Sequence, residues 1–139
     1  MTIDQIITQA LAEDIGDGDC TSLACIPSDK QGRAKLLIKE DGILAGISIA
    51  EKVFAHVDKA LKLEVFFSDG AEIKKGNIAF QIEGNSRSIL AAERLVLNFM
   101  QRMSGIATAT CELCMLIKGT KTRILDTRKT TPLLREIEK

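Results

Sequence analysis

The residues best suited to chemistry lie near the end of the chain, where Thr127, Arg128 and Lys129 follow a short apolar run. Residues 123–127 predict a strand and residues 132–138 a helix, with the basic pair in the loop between them. Such a loop and the N-terminus of the next helix offer backbone N–H groups to an anion. Arg adds a planar fork and Lys a point charge, which favours a ligand with several negative charges. A basic loop in solvent is the alternative.

Arg94 is the second candidate. It stands beside Glu93 in an otherwise apolar stretch of a predicted long helix. On composition alone, a charged side chain at such a position is a solvated or ion-paired surface residue.

The cysteines do not predict a metal site. Cys111 and Cys114 have the spacing of a zinc half-site, but four residues separate Cys20 from Cys25, and His56 is the single histidine. Free thiols are the better interpretation, and no metal ligands are assigned to this sequence. Disulfides would require an oxidising compartment, which nothing in the chain indicates.

Two further motifs have structural explanations. Residues 13–19 are acidic and glycine-rich, but the acids do not alternate as a calcium loop requires. A turn whose Asp side chains bind local backbone is preferred. Residues 69–77 are similar to the rim of a lipoyl or biotinyl carrier, yet Lys74 and Lys75 introduce a strand rather than occupy a hairpin tip.

Composition excludes several classes of protein. The 139 residues carry 19 Lys and Arg against 19 Asp and Glu, with no Trp or Tyr and five Phe. A nucleic-acid partner is not expected, because the long-range attraction and the stacking surfaces are missing. No apolar run is long enough to span a bilayer, and the first residues do not form a signal region. A cytoplasmic location is expected.

The periodicity predicts an α+β fold. Roughly four strands in one antiparallel sheet, with helices on one side, are expected. The first two strands are predicted to form a hairpin around Asp41–Gly42. The long helix is predicted to begin at Ser86 or Ser88, to break or bend at Ser104–Gly105 and to continue to about Lys118. The other predicted elements are helices at 2–13 and 47–61 and strands near 63–67 and 78–82.

Four sequence blocks together resemble the quinolinate phosphoribosyltransferase family. Each block alone is a weak signal, but their order and approximate spacing make the resemblance specific. They cover essentially the whole chain: residues 11–22 (LAEDIGDGDCTS), 92–98 (AERLVLN), 103–108 (MSGIAT) and 125–132 (LDTRKTTP).

The resemblance implies an N-terminal open-faced α/β sandwich followed by an α/β barrel. Residues 1–118 would form the sandwich domain with its long linking helix, and residues 119–139 the first strand-loop-helix of the barrel. Members of the family work as homodimers in which one subunit's N-terminal domain faces the other's barrel. A cross-subunit active site is therefore implied.

The resemblance also implies a reaction. Family members join quinolinate to phosphoribosyl pyrophosphate with Mg²⁺, giving nicotinate mononucleotide, pyrophosphate and carbon dioxide on the route to NAD. Arg94 matches the arginine that reaches the partner subunit's quinolinate site, and Arg128 with Lys129 matches the basic pair on the first barrel strand. Thr127 is grouped with that pair as substrate-binding.

The sequence departs from the family in two respects. Leu133 stands where a glycine is usual after Thr-Thr-Pro, and the later His, Arg, Lys and acidic residues of the family have no counterparts before Lys139. Because barrel closure takes on the order of 200 residues or more, we expect a fragment or an interrupted gene product that is inactive alone. The alternatives are a non-catalytic remnant, a dimerisation or binding module, or a related nicotinate or molybdenum-transport-associated phosphoribosyltransferase.

Overall fold

The computed structural model describes all residues from Met1 to Lys139 as five helices and five strands. Two helices come first and are followed by two strands, a third helix and three more strands, and the long fourth helix follows the last strand. The helices are α1 (Ile3–Ile15), α2 (Cys20–Cys25), α3 (Ile47–Val57), α4 (Ser86–Leu116) and α5 (Arg135–Glu138); the strands are β1 (Gln31–Leu37), β2 (Gly42–Ile43), β3 (Lys62–Val65), β4 (Glu72–Ile73) and β5 (Ile78–Asn85).

The strands form two antiparallel sheets, one with the order β1-β5-β3 and one that pairs β2 with β4. The predicted α+β class is confirmed, but the single sheet of four strands is wrong. The predicted hairpin is also wrong, because β1 pairs with β5 and not with β2. The Asp41 carboxylate accepts a hydrogen bond from the Lys75 N–H at 2.8 Å and draws the Asp41–Gly42 turn toward β4.

The core lies between the inner face of the larger sheet and helices α1, α3 and α4. Phe54 of α3 meets Phe80 of β5 edge to face, with ring centroids 5.8 Å apart. Val53 and Ile82 are fully buried beside them. Burial of large apolar side chains contributes about 1.5–3 kcal/mol each, so this layer dominates the stability of the fold.

Helix α1 forms where its sequence predicts it. The Thr2 hydroxyl accepts from the Gln5 N–H, and the Gln5 side chain accepts from the Thr2 N–H, which completes the expected capping box. The helix ends at Ile15 instead of near Glu13, because Gly16 terminates it with φ of 52°. Its buried residues Ile6 and Ile7 join the core.

Helix α4 runs unbroken from Ser86 to Leu116, so the predicted bend at Ser104–Gly105 is wrong. Its N-cap is Asn85 and not Ser86 or Ser88, since the Asn85 side chain accepts from the N–H groups of residues 87 and 88. A single Gly costs about 1 kcal/mol in a helix, an amount that packing along a long helix offsets. The helix therefore continues past the position where the sequence predicts its break.

Two hydroxyl groups of α4 form hydrogen bonds with backbone groups in β2 and just after it, on the side where no strand is paired. Ser104 Oγ accepts from the Ala45 N–H at 2.9 Å and lies 3.1 Å from the Ala45 carbonyl oxygen, to which it donates. Thr108 Oγ1 accepts from the Ile43 N–H at 2.9 Å. These contacts give the 103–108 block a structural role, because they satisfy backbone groups that no strand pairs.

Thr108→Val should lower the free energy of unfolding by about 1–2 kcal/mol, because the half-buried Ile43 N–H loses its acceptor while the side-chain shape is kept. Urea denaturation measures the change. Thr110→Val is the matched control: Thr110 is exposed on the same helix, and we expect a change within about 0.5 kcal/mol. Equal losses in the two variants would contradict the strand-like role of Thr108.

The end of the chain differs most from its prediction. Residues 123–127 form no strand, and only Arg135–Glu138 is helical in the last segment. A strand needs a neighbour to pair with, and none is present beside these residues. Ile137 nevertheless belongs to the main core, where it is 4% exposed.

Candidate functional site

Arg94 lies on the exposed face of α4 and is held by two carboxylates. Its Nε–H points to both carboxylate oxygens of Asp14, at 3.2 and 3.1 Å, and its Nη1 lies 3.7 Å from Asp19 Oδ2. The Arg94 side chain is 48% exposed, whereas those of Asp14 and Asp19 are 25% and 15% exposed. No hydrogen bond or ion pair within the chain uses Nη2. The Nη2 group is thus available to an external acceptor.

Asp19 also caps helix α2. Its two carboxylate oxygens accept from the Ser22 N–H at 3.3 Å and the Ser22 hydroxyl at 2.7 Å. The hydrogen bonds from Ser22, with the nearby charge of Arg94, hold the pKa of Asp19 below its usual value. Asp19 therefore carries a full negative charge beside Arg94 at neutral pH.

Thr127, Arg128 and Lys129 lie on an exposed loop after α4. Thr127 Oγ1 accepts from the Lys129 N–H at 3.2 Å, which turns the chain at this point. The charged groups of Arg128 and Lys129 form no ion pair and no hydrogen bond within the chain. Two positive charges are consequently available to an anion.

The structure does not join the two candidate groups. No hydrogen bond or ion pair links Arg94 to Thr127, Arg128 or Lys129. A groove of about 670 Å³ lies between β1, β2 and the second half of α4, and none of these four residues lines it. Their assignment to one substrate site stays a prediction.

A small ion cluster anchors the loop to α4. The Arg102 guanidinium donates to the Glu138 carboxylate, with Nε at 2.7 Å, and to the Thr131 hydroxyl. Glu138 Oε2 also accepts from the Thr131 N–H at 2.9 Å. Hydrogen bonds from Thr131, with the charge of Arg102, lower the pKa of Glu138 to about 2. Thr131, two residues after Lys129, therefore ties the end of the basic loop to the long helix.

Leu133 has φ of +70°, the left-handed conformation that a glycine adopts without strain. Leu133→Gly should raise the free energy of unfolding by about 0.5–1 kcal/mol, because the strain of about 1–2 kcal/mol exceeds the entropy that glycine loses on folding. Little packing is lost, since Leu133 is 66% exposed. Urea denaturation measures the change.

Leu125→Gly is the control for this prediction. Leu125 is 83% exposed, like Leu133, but its φ is negative. The same replacement there should leave stability unchanged or lower it, because no strain is relieved. A stabilisation of equal size at both positions would show that backbone strain at Leu133 is not the cause.

The other motifs have structural roles or exposed positions. In the acidic turn, the Asp19 side chain binds local backbone as predicted, because it accepts from the Ser22 N–H. The four cysteines are free thiols. The Lys74 ammonium pairs with Glu72 at 2.8 Å and Asp41 at 3.5 Å, which raises the pKa of Lys74. No group of three or more His, Cys, Asp or Glu side chains is placed to hold a metal ion.

Sequence reasoning missed Asp14 and Asp19 as partners of Arg94. They lie 80 and 75 residues from it in the chain, so no local spacing connects them. A signal was present, however, because the acidic block 11–22 and the block 92–98 were both singled out. The fold brings these two blocks into contact.

Family models match nearly the whole chain. The model described as "Quinolinate phosphoribosyl transferase, N-terminal domain" matches residues 19–104, and the model of the C-terminal domain of the same family matches residues 106–139. The division falls inside α4, and the predicted domain boundary at residue 118 stays a prediction.

Curated relatives agree with these models. Quinolinate phosphoribosyltransferase (decarboxylating) 1b of Nicotiana tabacum is 50% identical over 96% of this chain and 38% of the relative. The chloroplastic nicotinate-nucleotide pyrophosphorylase (carboxylating) of Oryza sativa subsp. japonica is also 50% identical, over 96% of this chain and 36% of the relative. The chain thus spans well under half the length of these two proteins.

Solved structures agree with the fold. NadC from Streptococcus pyogenes superposes with a TM-score of 0.94 at 35% identity, over 97% of this chain and 48% of that one. The nicotinate-nucleotide pyrophosphorylase from Francisella tularensis gives a TM-score of 0.91 at 38% identity, over 98% and 49% of the two chains. The chain spans about half the length of these structures.

Proposed function

The chain belongs to the quinolinate phosphoribosyl transferase family, and on that premise we propose that it serves in the transfer of phosphoribosyl from phosphoribosyl pyrophosphate to quinolinate. The products would be nicotinate mononucleotide, pyrophosphate and carbon dioxide, in the biosynthesis of NAD. This chain would supply the N-terminal domain and the first basic loop of the barrel. Mg²⁺ would act with phosphoribosyl pyrophosphate in the complete enzyme, on ligands outside residues 1–139.

The observation that carries the proposal is that the residues which the family resemblance assigns to substrate binding have positive groups without a partner in the chain. Arg128 and Lys129 have no acidic partner within the chain, and the Nη2 group of Arg94 has none either. Quinolinate is a pyridine dicarboxylate, so it needs at least two cationic partners, and charge-assisted hydrogen bonds from Arg or Lys to a carboxylate are the strong ones. Arg128 and Lys129 of the basic loop would bind the second carboxylate of quinolinate or a phosphate of phosphoribosyl pyrophosphate.

These residues would bind and orient the substrates. Fixing the quinolinate ring nitrogen against the anomeric carbon of the ribose supplies proximity, which is a large contribution in two-substrate reactions. Fixed positive charges stabilise the pyrophosphate as it leaves. Carbon dioxide can then depart, because the new pyridinium withdraws electrons from the neighbouring carboxylate.

We propose a homodimer as the working form, with Arg94 of one subunit at the partner's quinolinate site. Arg94 and the basic loop make no contact within one chain, which supports a site completed by a second subunit. We also propose a cytoplasmic location. No helix of the chain is both long and apolar enough to cross a membrane, while the names of the rice and some tobacco relatives place them in chloroplasts or mitochondria.

The substrate distinguishes this function from a related nicotinate phosphoribosyltransferase. A full-length enzyme that contains this sequence should release labelled carbon dioxide from carboxyl-labelled quinolinate when phosphoribosyl pyrophosphate is present. It should not form nicotinate mononucleotide from nicotinate at a comparable rate, because one of its cationic subsites would remain without a carboxylate. Preference for nicotinate, or no turnover of either compound, would contradict the proposal.

A further inference from the structure

The position of Arg94 depends on a short loop between α1 and α2. Asp14 lies in the last turn of α1, and Asp19 is the N-cap of α2. Between them, Gly16 and Gly18 have φ values of 52° and 134°, a region that residues with a Cβ rarely adopt. The two glycines thus let the chain reverse so that both carboxylates reach the same guanidinium on α4.

The contacts leave a defined part of Arg94 available. Asp14 takes the Nε–H, and Asp19 lies beside Nη1, so Nη2 is the guanidinium nitrogen that has no acceptor in this chain. An arginine side chain carries about 2 kcal/mol of rotamer entropy, part of which is lost whenever it binds a ligand. A side chain that is already held in one orientation loses less of it.

We infer that Asp14 and Asp19 are positioning residues, which hold the Arg94 guanidinium so that its Nη2 N–H groups can reach a quinolinate carboxylate. The inference rests on the proposed function, because it assigns Arg94 to the quinolinate site. It adds the acidic pair, which acts on the substrate only through Arg94. Arg94 stays usable for an anion, since neither acid forms a hydrogen bond or ion pair with Nη2.

Asp14→Ala in a full-length enzyme that contains this sequence tests the inference. The KM for quinolinate should rise about 3- to 30-fold, the range expected for coupling between contacting residues. The kcat should change by less than about twofold, because the bound state once formed still contains Arg94. Asp17→Ala is the matched control: Asp17 lies in the same loop, is exposed and contacts no cation, so its KM should stay unchanged.

The same replacement in the Arg94→Ala enzyme separates positioning from a structural role. If Asp14 acts through Arg94, Asp14→Ala should add nothing once Arg94 is absent. In the 139-residue chain, the NMR signal of the Arg94 Nε–H should be protected from exchange and should lose that protection in Asp14→Ala but not in Asp17→Ala. This measurement does not depend on enzymatic activity.

Asp14→Asn covers the case in which the alanine variant folds poorly. It keeps the side-chain shape and removes the charge, so a smaller rise in KM with an unchanged Tm is expected. If Arg94→Ala raises the KM while neither Asp14 variant does, the proposed function stands and the positioning inference is wrong. If Arg94→Ala itself leaves quinolinate kinetics unchanged, both the role of Arg94 and the inference built on it are wrong.

Discussion

Mixing Arg94→Ala subunits with Arg128→Ala subunits should restore activity that neither variant has alone. In the proposed dimer, each site combines Arg128 of one subunit with Arg94 of its partner. A heterodimer of the two variants has one site with both arginines and one with neither. Because random mixing makes about half of the dimers mixed, activity should return to about one quarter of the wild-type value.

The single variants should lose most of their catalytic efficiency. Removing one charged partner from a desolvated site lowers kcat/KM by about 30- to 1,000-fold. The assay is carbon dioxide release from labelled quinolinate by full-length enzymes that contain this sequence. Arg33→Ala is the matched control, since Arg33 is an exposed arginine that only pairs with Glu83 on the sheet, and its kcat/KM should stay near wild type.

Recovery on mixing decides between two roles for Arg94. If heterodimers form, as mass spectrometry of differently labelled subunits would show, and yet no activity returns, Arg94 does not act across the interface. Its ion pairs with Asp14 and Asp19 would then be its whole role, as composition alone indicates.

The 139-residue polypeptide by itself should have no measurable phosphoribosyl transfer activity. Its substrate-binding candidates are separated, with Arg94 on α4 and the basic pair on an exposed loop that neither bonds to Arg94 nor lines the groove between β1, β2 and α4. Its acidic residues form no cluster that suits a metal ion. Without proximity and charge stabilisation, we expect a rate at least about 10⁴-fold below that of a full-length enzyme.

Carbon dioxide release from labelled quinolinate by the purified polypeptide measures this. Far-UV circular dichroism shows that the chain is folded in the same sample, and a full-length enzyme in parallel shows that the assay works. Release above background that disappears in Arg94→Ala would contradict the prediction, because it would place a working site within these residues.

Local sequence predicted the elements whose own residues supply what they need. The capping box at Thr2 and Gln5 starts α1 without help from the rest of the chain. Alternating residues predicted β1, β3 and β5, since one face of each strand meets the core whichever strand lies beside it. The four sequence blocks also indicated the family, which the family models confirm.

Predictions that depended on distant residues were less successful. The expected hairpin at Asp41–Gly42 did not form, because Lys75 binds the Asp41 carboxylate and β5 offers β1 a longer partner. The expected strand at 123–127 is absent, because a strand is stabilised by its neighbours and not by its own sequence. Both errors concern which strand a segment pairs with, and not the tendency of the segment to be extended.

The sequence by itself determined the cap of α1, the alternation of the strands, the family and the residue types available to bind anions. The tertiary structure alone decided that β1 pairs with β5, that α4 continues unbroken through Gly105, and that Asp14 and Asp19 meet Arg94. The physical reason is the range of the interactions. Caps and periodicity act over a few residues, whereas pairing and ion contacts bring together groups far apart in the chain, and only the packed core fixes which of them meet.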